Sequence, residues 1–113
     1  MAKYEGVLKG DFDEIAAMIE SGILRGSASA SLEDGSDFST DGVRCMVRVF
    51  ERYSMIGKNR VSMNVTMVGN GEEIFLSAIT SGGSQAILFK INTFGEEAFL
   101  QKLVEIAERY RQR

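Results

Sequence analysis

The chain has 113 residues, with 13 Lys+Arg against 16 Asp+Glu, no His, no Pro, no Trp and one Cys. This length fits one domain, 1–113, that needs neither disulfide nor metal to hold a core, and a net charge of −3 lacks the basic balance of a non-specific duplex binder. Without His there is no Ser-His-Asp or Cys-His nucleophile, and zinc sites built from His and several Cys are excluded by count.

KYEGVLK (3–9) reads as a short strand broken by Gly10. Asp11 then stands as an N-cap with Glu14 three residues on, a pattern like a capping box. Phe12, Ile15, Ala16, Ile19 and Ile23 follow at helical spacing, predicting a helix over 12–24 bracketed by Gly22 and Gly26. SASASL (27–32) alternates as a half-buried strand should, and DGSDFSTDG (34–42) is turn-rich and reads as a loop.

From Val43 to about Tyr53 the chain alternates again, and after a loop at SMIGKN it does so from Arg60 to Met67. Asn70-Gly71 is the strongest hairpin signal, expected as a type I′ turn into EEIFLSAIT (72–80). TSGGSQ (80–85) makes the next turn; a tight hairpin is preferred there over an anion-binding nest, because a strand and not a helix is expected to follow. AILFKI (86–91) reads as that strand. Thr93 with Glu96 forms a second capping-box pattern, opening a helix over 94–111 whose stripe is Phe99, Leu103, Ile106 and Tyr110.

The expected architecture is α+β and two-layered. An antiparallel meander of five to six strands, in the order β-α-β-β-β-β-β-α, packs two helices on one face in a helix-grip-like or saddle-like arrangement. Alternation assigns Ala28, Ala30, Val43, Cys45, Val47, Val49, Met63, Val65, Ile87 and Phe89 to the face under the helices, opposite Phe99, Leu103 and Tyr110. Met63, Val65 and Val47, with Phe89, Phe99 and Leu103, are then the candidate lining of a small apolar or amphipathic ligand site between sheet and last helix. Core filling is the ordinary role of such residues.

Arg44, Arg48 and Arg52 recur every four residues, which on a strand keeps them on one face, here the outer one. That stripe is open to three readings: a solvated surface, a holder of an anionic partner, or part of a protein interface. Met46, Phe50, Phe75, Ile79 and Leu88 share the outer face by the same alternation, and an apolar patch of that kind points to a homodimer. Few aromatics interleave with the arginines, so nucleic acid is not the expected partner. Cys45, on the inward row, is expected to pack as a small hydrophobe.

Two stretches, DGVRCMVRVFERYS (41–54) and LSAITSGGSQAILFKINTFGEEAFL (76–100), resemble a small family of uncharacterised bacterial proteins of about this length. The resemblance extends over nearly the whole chain and implies no activity, cofactor or catalytic residue. A fold-level similarity to helix-grip proteins implies apolar ligands held between sheet and last helix, although those proteins have longer chains and two short helices after the first strand. The start of the chain lacks an apolar signal region, no run approaches the roughly 18 apolar residues of a membrane span, and a lone Cys suits a reducing compartment. The expectation is a cytoplasmic, non-catalytic binding protein without cofactor or metal.

Overall fold

Asp11 does what its position asks of it: its Oδ2 accepts the Glu14 backbone N–H at 2.9 Å, closing the start of a helix directly after the first strand. The computed structural model describes residues 1–54, 59–82 and 89–111, with side chains for 1–53, 60–82 and 95–111. Its elements are β1 (Lys3–Lys9), α1 (Phe12–Arg25), β2 (Ser31–Thr40), β3 (Val43–Ser54), β4 (Asn59–Asn70), β5 (Glu73–Gly82) and α2 (Phe89–Ala107). All strand pairs are antiparallel, in the spatial order β1-β5-β4-β3-β2. This is the expected α+β arrangement of an antiparallel meander with two helices. The meander runs from β2 to β5, and β1 joins at the far edge of β5, so α1 carries the chain from one edge of the sheet to the other.

Both helices lie on one face. Phe12, Ile15, Ile19 and Ile23 bury the predicted stripe of α1, and Phe99, Leu103 and Ile106 bury that of α2. α1 sits over β3 and β4, where the Phe12 ring covers Gly69 and Asp13 reaches Arg44. α2 packs chiefly on β5 and β4.

Several boundaries differ from the sequence reading. The strand expected at 27–32 begins at Ser31, and the expected loop at 34–42 is mostly strand β2. Its Ser, Asp and Gly residues suit an edge strand that is exposed almost throughout and interrupted by a bulge between Leu32 and Asp34. The type I′ signature belongs to Asp41-Gly42, which join Thr40 to Val43 with φ of 48° and 81°. At the β4–β5 hairpin only Gly71 has positive φ (63°), and Asn70 still pairs with Glu73 as the last residue of β4; this is the pattern of a II′ turn. α2 begins at Phe89, so the strand expected over 86–91 falls partly on its first turn, and Thr93 lies within the helix instead of capping it. Ile87 and Leu88 lie outside the described residues, and no side-chain placement is described for Phe89.

The largest correction concerns the faces of β3. Met46 and Phe50 are buried, 5% and 1% exposed, and with Arg44, Arg48 and Arg52 they face the helices. Val43, Cys45, Val47 and Val49 face the other way. The register with β4 fixes this phase: Met46 pairs with Met67, Arg48 with Val65 and Phe50 with Met63, and all three partners are fully buried. Counting apolar residues favours the odd positions, but Met and Phe bury more area than Val and Cys. The arginine stems cover apolar surface while their heads reach polar groups at the rim. Ala28 and Ala30 precede β2; Ala30 still packs against the core cluster, as expected, and Ala28 does not.

The core packs without slack at Gly69. A Cβ there would lie 2.6 Å from Cδ2 of the Phe12 ring, which Arg44 also covers. Gly69→Ala is expected to destabilise the fold by about 1–3 kcal/mol through overpacking, against the slight gain that Ala normally brings to a strand; urea unfolding measures the difference.

Candidate functional site

Three groups of side chains were expected to carry function, and the structure treats them differently. Met63, Val65, Phe99 and Leu103 are fully buried members of one core cluster between sheet and helices. Val47 is on the outer face and does not join them.

The arginines form the second group. They lie in line on β3, but each meets a helix or the neighbouring strand. Arg44 Nη2 donates to Asp13 Oδ1 at 2.9 Å, and its guanidinium stands 4.3 Å from the Phe12 ring centroid. Arg48 donates to both carboxylate oxygens of Asp37, at 3.1 and 3.0 Å, and to the Val47 carbonyl at 2.8 Å, with Glu20 of α1 at 4.0 Å. Its side chain crosses the bare backbone of Gly35, where a Cβ would sit 2.8 Å from Arg48 Cδ. Arg52 donates to the Gly95 carbonyl of α2 at 3.3 Å and covers the Phe99 ring at 5.0 Å; burial pushes its guanidinium below the ordinary Arg value. The row therefore stitches β2, β3, α1 and α2 together.

A cleft of about 530 Å³ opens beside Arg44, between the start of α1 and the β4–β5 turn. Lys9 and Arg44 on its walls are balanced by Asp11 and Glu72, and Asp11 is committed to capping α1. Among the described residues no group of three or more Cys, Asp or Glu converges as a metal site. One carboxylate has a role other than the expected one: Glu96, read as the capping-box partner of Thr93, lies inside α2. It is 4% exposed and pairs with the terminal ammonium of Met1 at 2.8 Å.

The third group is the outer sheet face. Phe75 and Ile79 are there, as expected, 42% and 40% exposed; Met46 and Phe50 are not. Direct cross-strand pairing builds one continuous apolar row across all five strands: Val7 opposite Phe75, Phe75 opposite Val68, Val68 opposite Cys45, and Cys45 opposite Phe38. Phe38 is 66% exposed and Val7 40%. Side chains directly opposite one another share a face and touch, so these five make a band roughly 19 Å long at ordinary strand spacing. Two rows away, Ile79 and Val49 flank Asn64, with Lys3 at one end and Asp34 at the other. Val47 lies in the row between. Phe38 belonged to the presumed loop and Cys45 to the presumed core, so only the register reveals the band.

The chain belongs to the family of unknown function DUF6054, which matches residues 1–111. Neither the curated proteins nor the solved structures contain a match.

The Arg44–Asp13 pair gives a titration signature. The hydrogen bond and charge of Arg44 hold the Asp13 carboxyl below its ordinary value of 3.8. A carboxylate depressed in this way stabilises the fold fully above its unfolded value and loses that contribution as pH falls through the folded value. In an NMR carboxyl titration, Arg44→Met is expected to raise the Asp13 midpoint toward 3.8 and to flatten the acid limb of stability against pH; an unchanged midpoint would contradict the pairing.

Proposed function

We propose that this DUF6054 chain is a non-catalytic protein-interaction module whose docking surface is the outer face of the sheet. The observation that carries this reading is the band Val7–Phe75–Val68–Cys45–Phe38, contiguous across five strands and uncovered by either helix. Exposed apolar patches of this kind on soluble proteins mark docking sites, and aromatic residues supply most of the binding energy at them. The arginines favour this reading over an anion site, since their heads already serve Asp13, Asp37 and the Gly95 carbonyl. A lone, half-exposed Cys45 within the band suits a reducing, cytoplasmic setting.

The outer face can be probed in cells with a photo-crosslinking phenylalanine analogue placed at Phe38 or Phe75, and at Ala17 on the exposed side of α1 as the control. Discrete polypeptide adducts are expected from the two sheet positions and not from Ala17. Equal labelling from all three positions, or none from Phe38 and Phe75, would remove the proposal. Phe38→Ser is expected to change urea-unfolding stability by less than about 0.5 kcal/mol, as surface substitutions do, while abolishing the adduct formed from position 75.

A further inference from the structure

The outer face has a symmetry that names its partner. A two-fold axis lying along β4, between two stacked sheets, turns one sheet over so that β1 covers the partner's β2, β5 covers the partner's β3, and β4 covers itself. In the apolar band this sets Val7 against the partner's Phe38, Phe75 against the partner's Cys45, and Val68 against the partner's Val68. Two rows along, Ile79 meets the partner's Val49 and Lys3 meets the partner's Asp34. In these two rows apolar side chains meet apolar ones and opposite charges meet at the rim, while the row between sets Val47 against the partner's Ser77 and the row beyond the band sets Val43 against the partner's Glu73.

We infer that the outer face binds the same face of a second copy in this register, forming a two-sheet sandwich with a core shared between protomers. The inference rests on the docking surface proposed above and adds the identity and register of its occupant. An isologous contact needs a self-complementary surface, and the axis along β4 is the one that keeps every row of the face in contact. An axis running across the strands through the band also stacks the band on itself and sets Lys9 opposite the partner's Glu5. It leaves the Lys3–Asp34 row, with Ile79 and Val49, without a counterpart and so buries less of the face.

The size of the face agrees. Five strands about 4.8 Å apart and roughly nine residues long give about 700 Å², close to the ~800 Å² per partner of a standard specific interface. Aligned sheet packing, with strands about 30° apart, suits two twisted sheets meeting in this way.

Pairing through the sheet edges is hindered over part of each edge. On β1, Lys9 donates its N–H to the Tyr110 carbonyl at 2.8 Å, and Leu8 bridges Arg111. On β2, the bulge between Leu32 and Asp34 bends the edge, and Asp34 and Asp37 add charge to it.

The test uses the full chain in sedimentation equilibrium, together with single-cysteine variants on a Cys45→Ser background. A dimer is expected at micromolar concentration, with Phe75→Ser weakening it at least about tenfold while the circular dichroism melt is retained. Asn64→Cys and Asn70→Cys, both on the proposed axis, are each expected to link one copy to another through a bismaleimide that spans the ~10 Å between packed sheets. Ala17→Cys is expected not to link. A monomer at high micromolar concentration, a dimer indifferent to Phe75→Ser, or linkage at only one of the two asparagine positions would overturn the inference. If photo-adducts from Phe38 and Phe75 carry the mass of a different polypeptide, the docking surface stands and the second copy is excluded; if those positions give no adduct, both fail together.

Discussion

The Phe12 ring brings one edge down on the bare backbone of Gly69 and has the guanidinium of Arg44 over its face, and Gly69 and Arg44 are cross-strand neighbours. This stack sets how close α1 comes to the sheet and which face of β3 it covers. A Cβ at residue 69 would lift the ring, and a β3 of opposite phase would offer Val43 and Cys45 in place of a cation for it. Once Arg44 faces α1, the period of two carries Met46, Arg48, Phe50 and Arg52 inward with it. The odd residues of β3 are then delivered to the outer surface, where they become part of the apolar band.

The three arginines are better understood as part of the packing than as a ligand site. Each lies over apolar surface or bare backbone with its stem and satisfies its head at the border between elements. Arg48 is the most connected of them, joining the edge strand β2 to β3 through Nη2, which both Asp37 oxygens share, and standing near α1. Exposed ion pairs contribute little each, so their value here lies in phase and register more than in net stability. A hydrophobic residue at position 48 would pack against Val65, but it would leave Asp37 and the Val47 carbonyl without this donor.

The two faces of the sheet therefore have separate tasks. The inner face is closed by α1 and α2 over a cluster that includes Met63, Val65, Phe99 and Leu103. Among the described residues no helix or strand of this chain lies over the apolar band of the outer face, whereas part of each sheet edge is bent, charged or paired. Edge protection with an open face is the reverse of what avoidance of all association would require, because it leaves face-to-face contact available and suppresses strand addition.

Local chemistry was sufficient to read the α+β class, the two helical stripes and the N-cap at Asp11 from sequence, since helical spacing and a side chain bonding its own neighbouring backbone depend on a few adjacent residues. The outward placement of Phe75 and Ile79 was equally legible, because β5 has one plainly apolar phase in Ile74, Leu76 and Ala78. β3 has two phases that both look buried, VxCxVxV and RxMxRxFxR, and nothing within the strand chooses between them. Pairing with Met67, Val65 and Met63 on β4 and contact with Phe12 on α1 made that choice, and with it decided the fate of the arginines, Val47 and Cys45. The residues of β2 are polar enough to read as loop, and only an edge-strand partnership with β3 makes them a strand. Side-chain period and capping are properties of the chain, whereas the face a strand presents and the row its residues join are properties of its neighbours.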